Sequence, residues 1–124
     1  MNFNNNKAIY LQIADYFYES ILQGKMKAKD RIPSVRELAI ELEVNPNTVM
    51  RTFQHLQDKE VIFSQRGIGY FISDAAYDTV HKMKKEEFIS FELPALFKTM
   101  KSLNISMKDV EILYKEYLVK IKTK

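Results

Sequence analysis

Two helix-start signals stand close together in the middle of the chain, and they limit the fold more than any other feature. In "PSVRELAIELEVNPNTVMRTFQHL", Ser34 is followed three residues later by Glu37. That is a capping box: the serine oxygen accepts the Glu37 backbone N–H while the Glu37 carboxylate reaches back to the Ser34 amide. Further on, Asn45 is a strong N-cap, and Pro46 takes the first helical position, where its missing N–H costs nothing. The helix opened at Val35 is therefore short, with a core stripe of Val35, Leu38, Ala39 and Leu42 that leaves Arg36 outside. About three residues then separate it from the next cap, the connection length of a helix-turn-helix.

The helix that begins at Pro46 divides cleanly. Val49, Thr52, Phe53 and Leu56 share one face, while Asn47, Thr48, Arg51, Gln54 and His55 spread over the other. Upstream, Lys7 to Gln23 follows the helical period with Ile9, Ile13, Tyr16 and Phe17, joined by Tyr10, Ala14 and Ile21, and Gly24 caps its end. Downstream, "VIFS" and "GYFIS" are short β-rich runs flanking "QRGI", a turn with glycines at 67 and 69. Three helices followed by a hairpin give a mainly α, winged helix-turn-helix domain, expected over residues 1–73. With only three glycines and three prolines in 124 residues, a sandwich or barrel is disfavoured.

From Asp74 the composition turns to Lys, Glu, Met and Phe without glycine, marking a second segment over 74–124. Val80, Met83, Phe88, Phe91, Leu96, Phe97, Met100 and Leu103 form a helical apolar pattern that Pro94 interrupts, which predicts a kinked helix or two abutting ones. Ser106 caps a last helix with Val110, Leu113, Tyr114, Tyr117, Leu118 and Ile121 on one face. So short a pair cannot bury both apolar faces alone. A second copy is expected to cover them, giving a symmetric homodimer with Phe88, Phe91, Leu96, Phe97, Met100, Leu113, Tyr114 and Tyr117 at the seam.

Charge placement points to the partner. A net charge of +3 is weak by itself, but Val44 to Gln57 and Val61 to Ser73 contain only Arg51 and Arg66 as formal charges. A phosphate backbone repels acids, and these windows cover the polar helix face and the hairpin. Solvated helices usually carry Glu and Lys in i, i+4 pairs, whereas this face carries Asn, Thr, Arg, Gln and His, the side chains that bond base edges and phosphates. Double-stranded DNA is thus the expected partner. Ser34 and Arg36 stand where a helix start meets a phosphate, and Arg66 at the hairpin tip suits a minor groove. His55 and His81 lie far apart, cysteine is absent, and no catalytic triad, phosphate loop or dinucleotide fingerprint occurs, so no metal, cofactor or catalysis is expected. No signal-like start or membrane-spanning apolar run is present, which makes a cytoplasmic, membrane-free protein the expectation.

The residues also resemble a family. Pro33 to Ile72, with "PSxREL", a "TV" near the start of the third helix and "RGxGxF" in the wing, resembles the DNA-binding domain of GntR-type bacterial transcription regulators, and "IYLQIADYFYESILQGKM" is similar to that family's first helix. The "VNPNTV" variant with a brief two-helix tail resembles the YtrA-type branch, which implies a dimeric regulator, commonly a repressor and often of membrane-transport operons. By position, the resemblance assigns DNA contacts to Arg36, Asn45, Asn47, Thr48, Arg66 and Gly67. Many relatives carry arginine directly after "TV"; here Met50 stands there and Arg51 follows, about 100° around the helix, which favours a phosphate over a base edge. Ala28-Lys29 replaces the usual Pro-Gly and Glu60 the glycine before the wing, so those loops are expected to differ slightly. Two rival readings stay open: an effector-responsive regulator with a small pocket at the dimer seam, and a winged-helix interaction module that never touches DNA.

Overall fold

The structure is a computed structural model that describes residues 1–122. It divides into two compact units, Met1–Lys84 and Lys85–Lys124. The first contains α1 (Ile9–Leu22), β1 (Arg31–Ile32), α2 (Val35–Leu42), α3 (Pro46–Asp58), β2 (Ile62–Gln65), β3 (Gly69–Ile72) and most of α4 (Ala76–Glu87). Its core joins Ile13, Phe17 and Ile21 of α1 to Leu38 of α2, the inner face of α3 and Ile62 and Ile72 of the sheet. The helix-turn-helix followed by a wing is the expected architecture, with a small sheet added.

Both expected caps form. Ser34 Oγ accepts the Glu37 N–H at 3.1 Å, the Ser34 N–H donates to Glu37 Oε1 at 3.3 Å, and Asn45 Oδ1 accepts the Asn47 N–H at 2.8 Å. The buried stripe of α3 is Val49, Thr52, Phe53 and Leu56. On α1 Ile13, Ala14, Phe17 and Ile21 are buried as expected, but the edges of the face shift: Tyr18 and Ser20 are buried, whereas Ile9 and Tyr16 are exposed. Tyr16 lies about 100° from Phe17, the centre of the contact, and helical period alone did not locate that centre.

The sheet has the order β1-β3-β2, antiparallel throughout, with Arg31 and Phe63 both opposite Phe71. The sequence reading treated β1 as a connecting link, because two residues show no period. It is defined by its partner: the Lys29 N–H donates to the Ile72 carbonyl at 2.8 Å and the Ile72 N–H to the Asp30 carbonyl at 2.9 Å. The loops expected to differ for want of glycine keep a glycine-like backbone. Lys29 has φ 71° and Glu60 φ 60°, and Glu43, between α2 and α3, has φ 55°. For residues with a Cβ this left-handed region costs about 1 kcal/mol each, which the surrounding hydrogen bonds offset.

The first unit extends beyond the expected boundary at Ser73. Ala76 and Val80 are buried in its core and Met83 packs against it, so α4 completes this unit rather than opening the second. In the second unit a π-helical turn, Phe88–Glu92, leads into α5 (Leu93–Leu103), and α6 (Met107–Lys122) follows. The Leu93 N–H bonds to the Phe88 carbonyl, five residues back. That wider turn resets the ladder immediately before Pro94, which has no N–H to give. Asn104 ends α5 with φ 56°. Ser106 and Asp109 then cap α6 reciprocally at 3.1 and 3.0 Å.

Of the eight residues expected at a dimer seam, Met100 is buried in the single chain and is withdrawn from that surface. The other seven, Phe88, Phe91, Leu96, Phe97, Leu113, Tyr114 and Tyr117, are exposed. None of the residues of α6 is buried.

Phe53 is fully buried, its ring edge-on to Phe17 at 6.0 Å and to Tyr70 at 4.8 Å. Phe53→Ala is expected to lower unfolding free energy by about 3–5 kcal/mol in urea titration. A loss under about 1 kcal/mol would show that the unit is not centred on this side chain.

Candidate nucleic-acid interface

Because Val49, Thr52, Phe53 and Leu56 point inward, α3 presents Asn47, Arg51 and Gln54 to solvent, with Thr48 half-buried beside them. Thr52 is anchored, its hydroxyl donating to the Tyr10 carbonyl at 2.8 Å. The Arg51 guanidinium lies over the Tyr10 ring, 4.2 Å from its centroid. A ring beneath the guanidinium occupies its face and leaves its N–H donors at the edge available. Asn45 uses its side-chain oxygen as the cap, which leaves its NH₂ to donate outward. Gln54 Nε2 donates to Asp58 Oδ1 at 2.9 Å, so this residue is partly engaged within its own helix. Met50, which stands where many relatives carry arginine, is exposed.

His55 was expected on the polar outer face, and the structure corrects this. It is half-buried, its Nε2 3.0 Å from the Tyr18 hydroxyl and its ring edge-on to Tyr10. Burial holds its pKa below the ordinary 6.5; the nearby Lys59 acts in the same direction and Asp58 in the opposite one. His55 thus belongs to the α1–α3 contact.

Ser34 and Arg36 are exposed at the start of α2. Ser34 Oγ accepts the capping N–H and still carries a proton to donate. In the wing, the Ile68 N–H bonds to the Gln65 carbonyl at 2.9 Å, closing a turn with Arg66 and Gly67 at its tip. Gly67 has φ 79°, a conformation glycine adopts without steric cost. A cleft of about 620 Å³ opens between the start of α2 and the wing, and it brings Ser34, Arg66 and Gly67 together with Ser64 and Arg31. Arg31 was missed by sequence reasoning. Its position is visible only once β1 pairs with β3. Among the described residues, no group of three acidic or histidine side chains is arranged to hold a metal ion, and no helix is long and apolar enough to cross a membrane.

This arrangement has known counterparts. The family model described as "Bacterial regulatory proteins, gntR family" matches residues 9–72, from the first residue of α1 to the last of β3. The chain belongs to the GntR family. It is 34% identical over 108 residues to the HTH-type transcriptional regulator YhcF of Bacillus subtilis, covering 87% of this chain and 88% of YhcF. To the HTH-type transcriptional repressor YtrA of the same organism it is 43% identical over 72 residues, 58% of this chain and 55% of YtrA. Among solved structures, a GntR-family transcriptional regulator from Bacteroides thetaiotaomicron superposes with a TM-score of 0.76 at 43% identity, covering 91% of this chain and 98% of that one. As a GntR-family member the protein is a DNA-binding transcription regulator, which sets aside the reading of a winged helix that never touches DNA.

Arg36 makes no ion pair among the described residues. Arg36→Ala is expected to weaken binding to all duplexes alike and to reduce the slope of log affinity against log salt, as loss of a phosphate contact does. An unchanged slope with an altered sequence preference would assign it to base readout instead. For His55 the sign follows from its lowered pKa: the stability it contributes is complete above about 6.5 and is lost as pH falls through the folded-state value. His55→Gln should therefore flatten the decline of Tm between about pH 7 and about pH 5. Equal declines in both proteins would locate the acid sensitivity elsewhere.

Proposed function

We propose that the protein is a homodimeric repressor that binds a two-fold symmetric operator, with α3 of each protomer in a major groove and the wing at the adjacent minor groove. One observation carries this reading: α6 buries none of its apolar residues, and Leu113, Tyr114 and Tyr117 are each about 60% exposed. An apolar face of that extent marks an association surface, and a second copy of the same helices is its self-complementary cover. Two copies present two α3 helices, hence two half-sites.

On this reading Asn45, Asn47 and Thr48 meet base edges at the start of α3. Arg51, braced on Tyr10, meets a phosphate, as do Ser34 and Arg36 from α2. Gln54 lies deeper along α3, and Arg66 with Gly67 enters the minor groove. Repression is supported by the similarity to YtrA, which is named a repressor. The likeness to the YtrA branch extends the proposal to genes for membrane transport.

Selection of duplex DNA by the purified protein, followed by anisotropy titration at two salt concentrations, should return a two-fold symmetric consensus with steep salt dependence. A single unsymmetrical half-site would overturn the dimeric reading. In light scattering, the full chain carrying both Leu113→Asp and Tyr117→Asp should be monomeric and bind the selected site at least about tenfold more weakly. A variant that remains dimeric would move the seam away from α6.

A further inference from the structure

Arg31 has no place in the function described so far, yet its surroundings are unusual. It lies on β1, at the edge of the sheet, opposite Phe71. The register puts its side chain on the same face as Gly69, one pleat nearer the wing tip, because residues two apart on a strand share a face. The guanidinium lies across that glycine: a Cβ built at Gly69 would stand 3.2 Å from Arg31 Nε and 3.4 Å from one terminal nitrogen. Gly69 has φ 145°, so a residue with a side chain would be strained there on backbone grounds as well. The strand thus leaves open, at Gly69, the space beside which the Arg31 guanidinium stands.

The cleft beside it is suited to an anion. Arg31 and Arg66 both line it, together with Ser34 and Ser64, and none of its lining residues is acidic. Among the described residues Arg31 forms no ion pair. A guanidinium presents five N–H donors in a planar fork that matches two oxygens of a phosphate. We propose that Arg31 clamps a phosphodiester of the DNA backbone in the cleft between the start of α2 and the wing, and that Gly69, having no Cβ, leaves its guanidinium room to stand there.

The clamp rests on the operator reading and differs from it in what it requires. It lies between the start of α2, which that reading sets on a phosphate, and the wing, which it assigns to the minor groove, so the phosphate it holds lies beside the minor groove. It reads no base. Its contribution is affinity and register, shared by every sequence.

The test uses the full-length protein, the selected duplex and an unrelated duplex. Arg31→Gln should weaken binding to both by about the same factor, on the order of tenfold. It should reduce the salt slope by about one per protomer, and repeated selection should return an unchanged consensus. Arg31→Lys should keep the slope, since the charge remains, and recover only part of the affinity, since the planar fork is lost. In ethylation interference, one phosphate per half-site should block the wild type when ethylated but make no difference to Arg31→Gln. Wild-type affinity, slope and interference pattern in Arg31→Gln would overturn the clamp and leave the operator reading standing, and a changed consensus would replace a phosphate contact by base readout. A wild-type protein that binds no duplex in a salt-dependent way would remove both.

Discussion

The packing of one aromatic ring governs the orientation of everything the first unit presents to solvent. Phe53 sits where α1, α3 and the sheet converge, edge-on to Phe17 from one side and to Tyr70 from another. Edge-to-face contacts are directional, so they set rotation as well as distance. Thr52, next to it, adds a hydrogen bond to the Tyr10 carbonyl. A turn of α3 by one residue, about 100°, would break both and carry Arg51 toward the core. The direction in which Asn47 and Arg51 leave the helix is therefore set by residues on its other side.

Tyr10 shows how economically the first helix supports the third. Its carbonyl receives Thr52, its ring lies under Arg51, and its edge meets His55. Such bracing reduces the rotamer freedom that a long arginine would lose on meeting a ligand. The second unit is built on the opposite principle. Reciprocal caps and a π-helical turn define its helices, while its aromatic and aliphatic side chains stay largely in water.

Much of this was legible in the sequence wherever the cause is local. Ser34 with Glu37, Asn45 with Pro46, and Ser106 announced their helices because capping is a contact between residues two or three apart. The inner face of α3 followed from its period. What escaped depends on partners distant in the chain. β1 is two residues long and is defined by β3; Arg31 acquires meaning only through Gly69; Tyr18 was passed over and His55 misplaced because a 37-residue separation hides the bond between them. The boundary was drawn at Ser73, where composition changes, whereas packing continues through Val80 to Lys84. Composition records solvent preference and is silent on which core an apolar residue joins.

The three left-handed residues of the first unit that are not glycine have a further implication. Lys29, Glu43 and Glu60 mark the entry to β1, the joint between α2 and α3, and the exit from α3, and each holds a backbone shape usually left to glycine. With a typical domain stability of about 5–15 kcal/mol, a cost of about 1 kcal/mol at each turn is tolerable. Residue identity and backbone shape have therefore come apart at these joints. The path of the backbone keeps the turns in place without glycine, so the side chains carried there can differ in charge without moving the helices they connect.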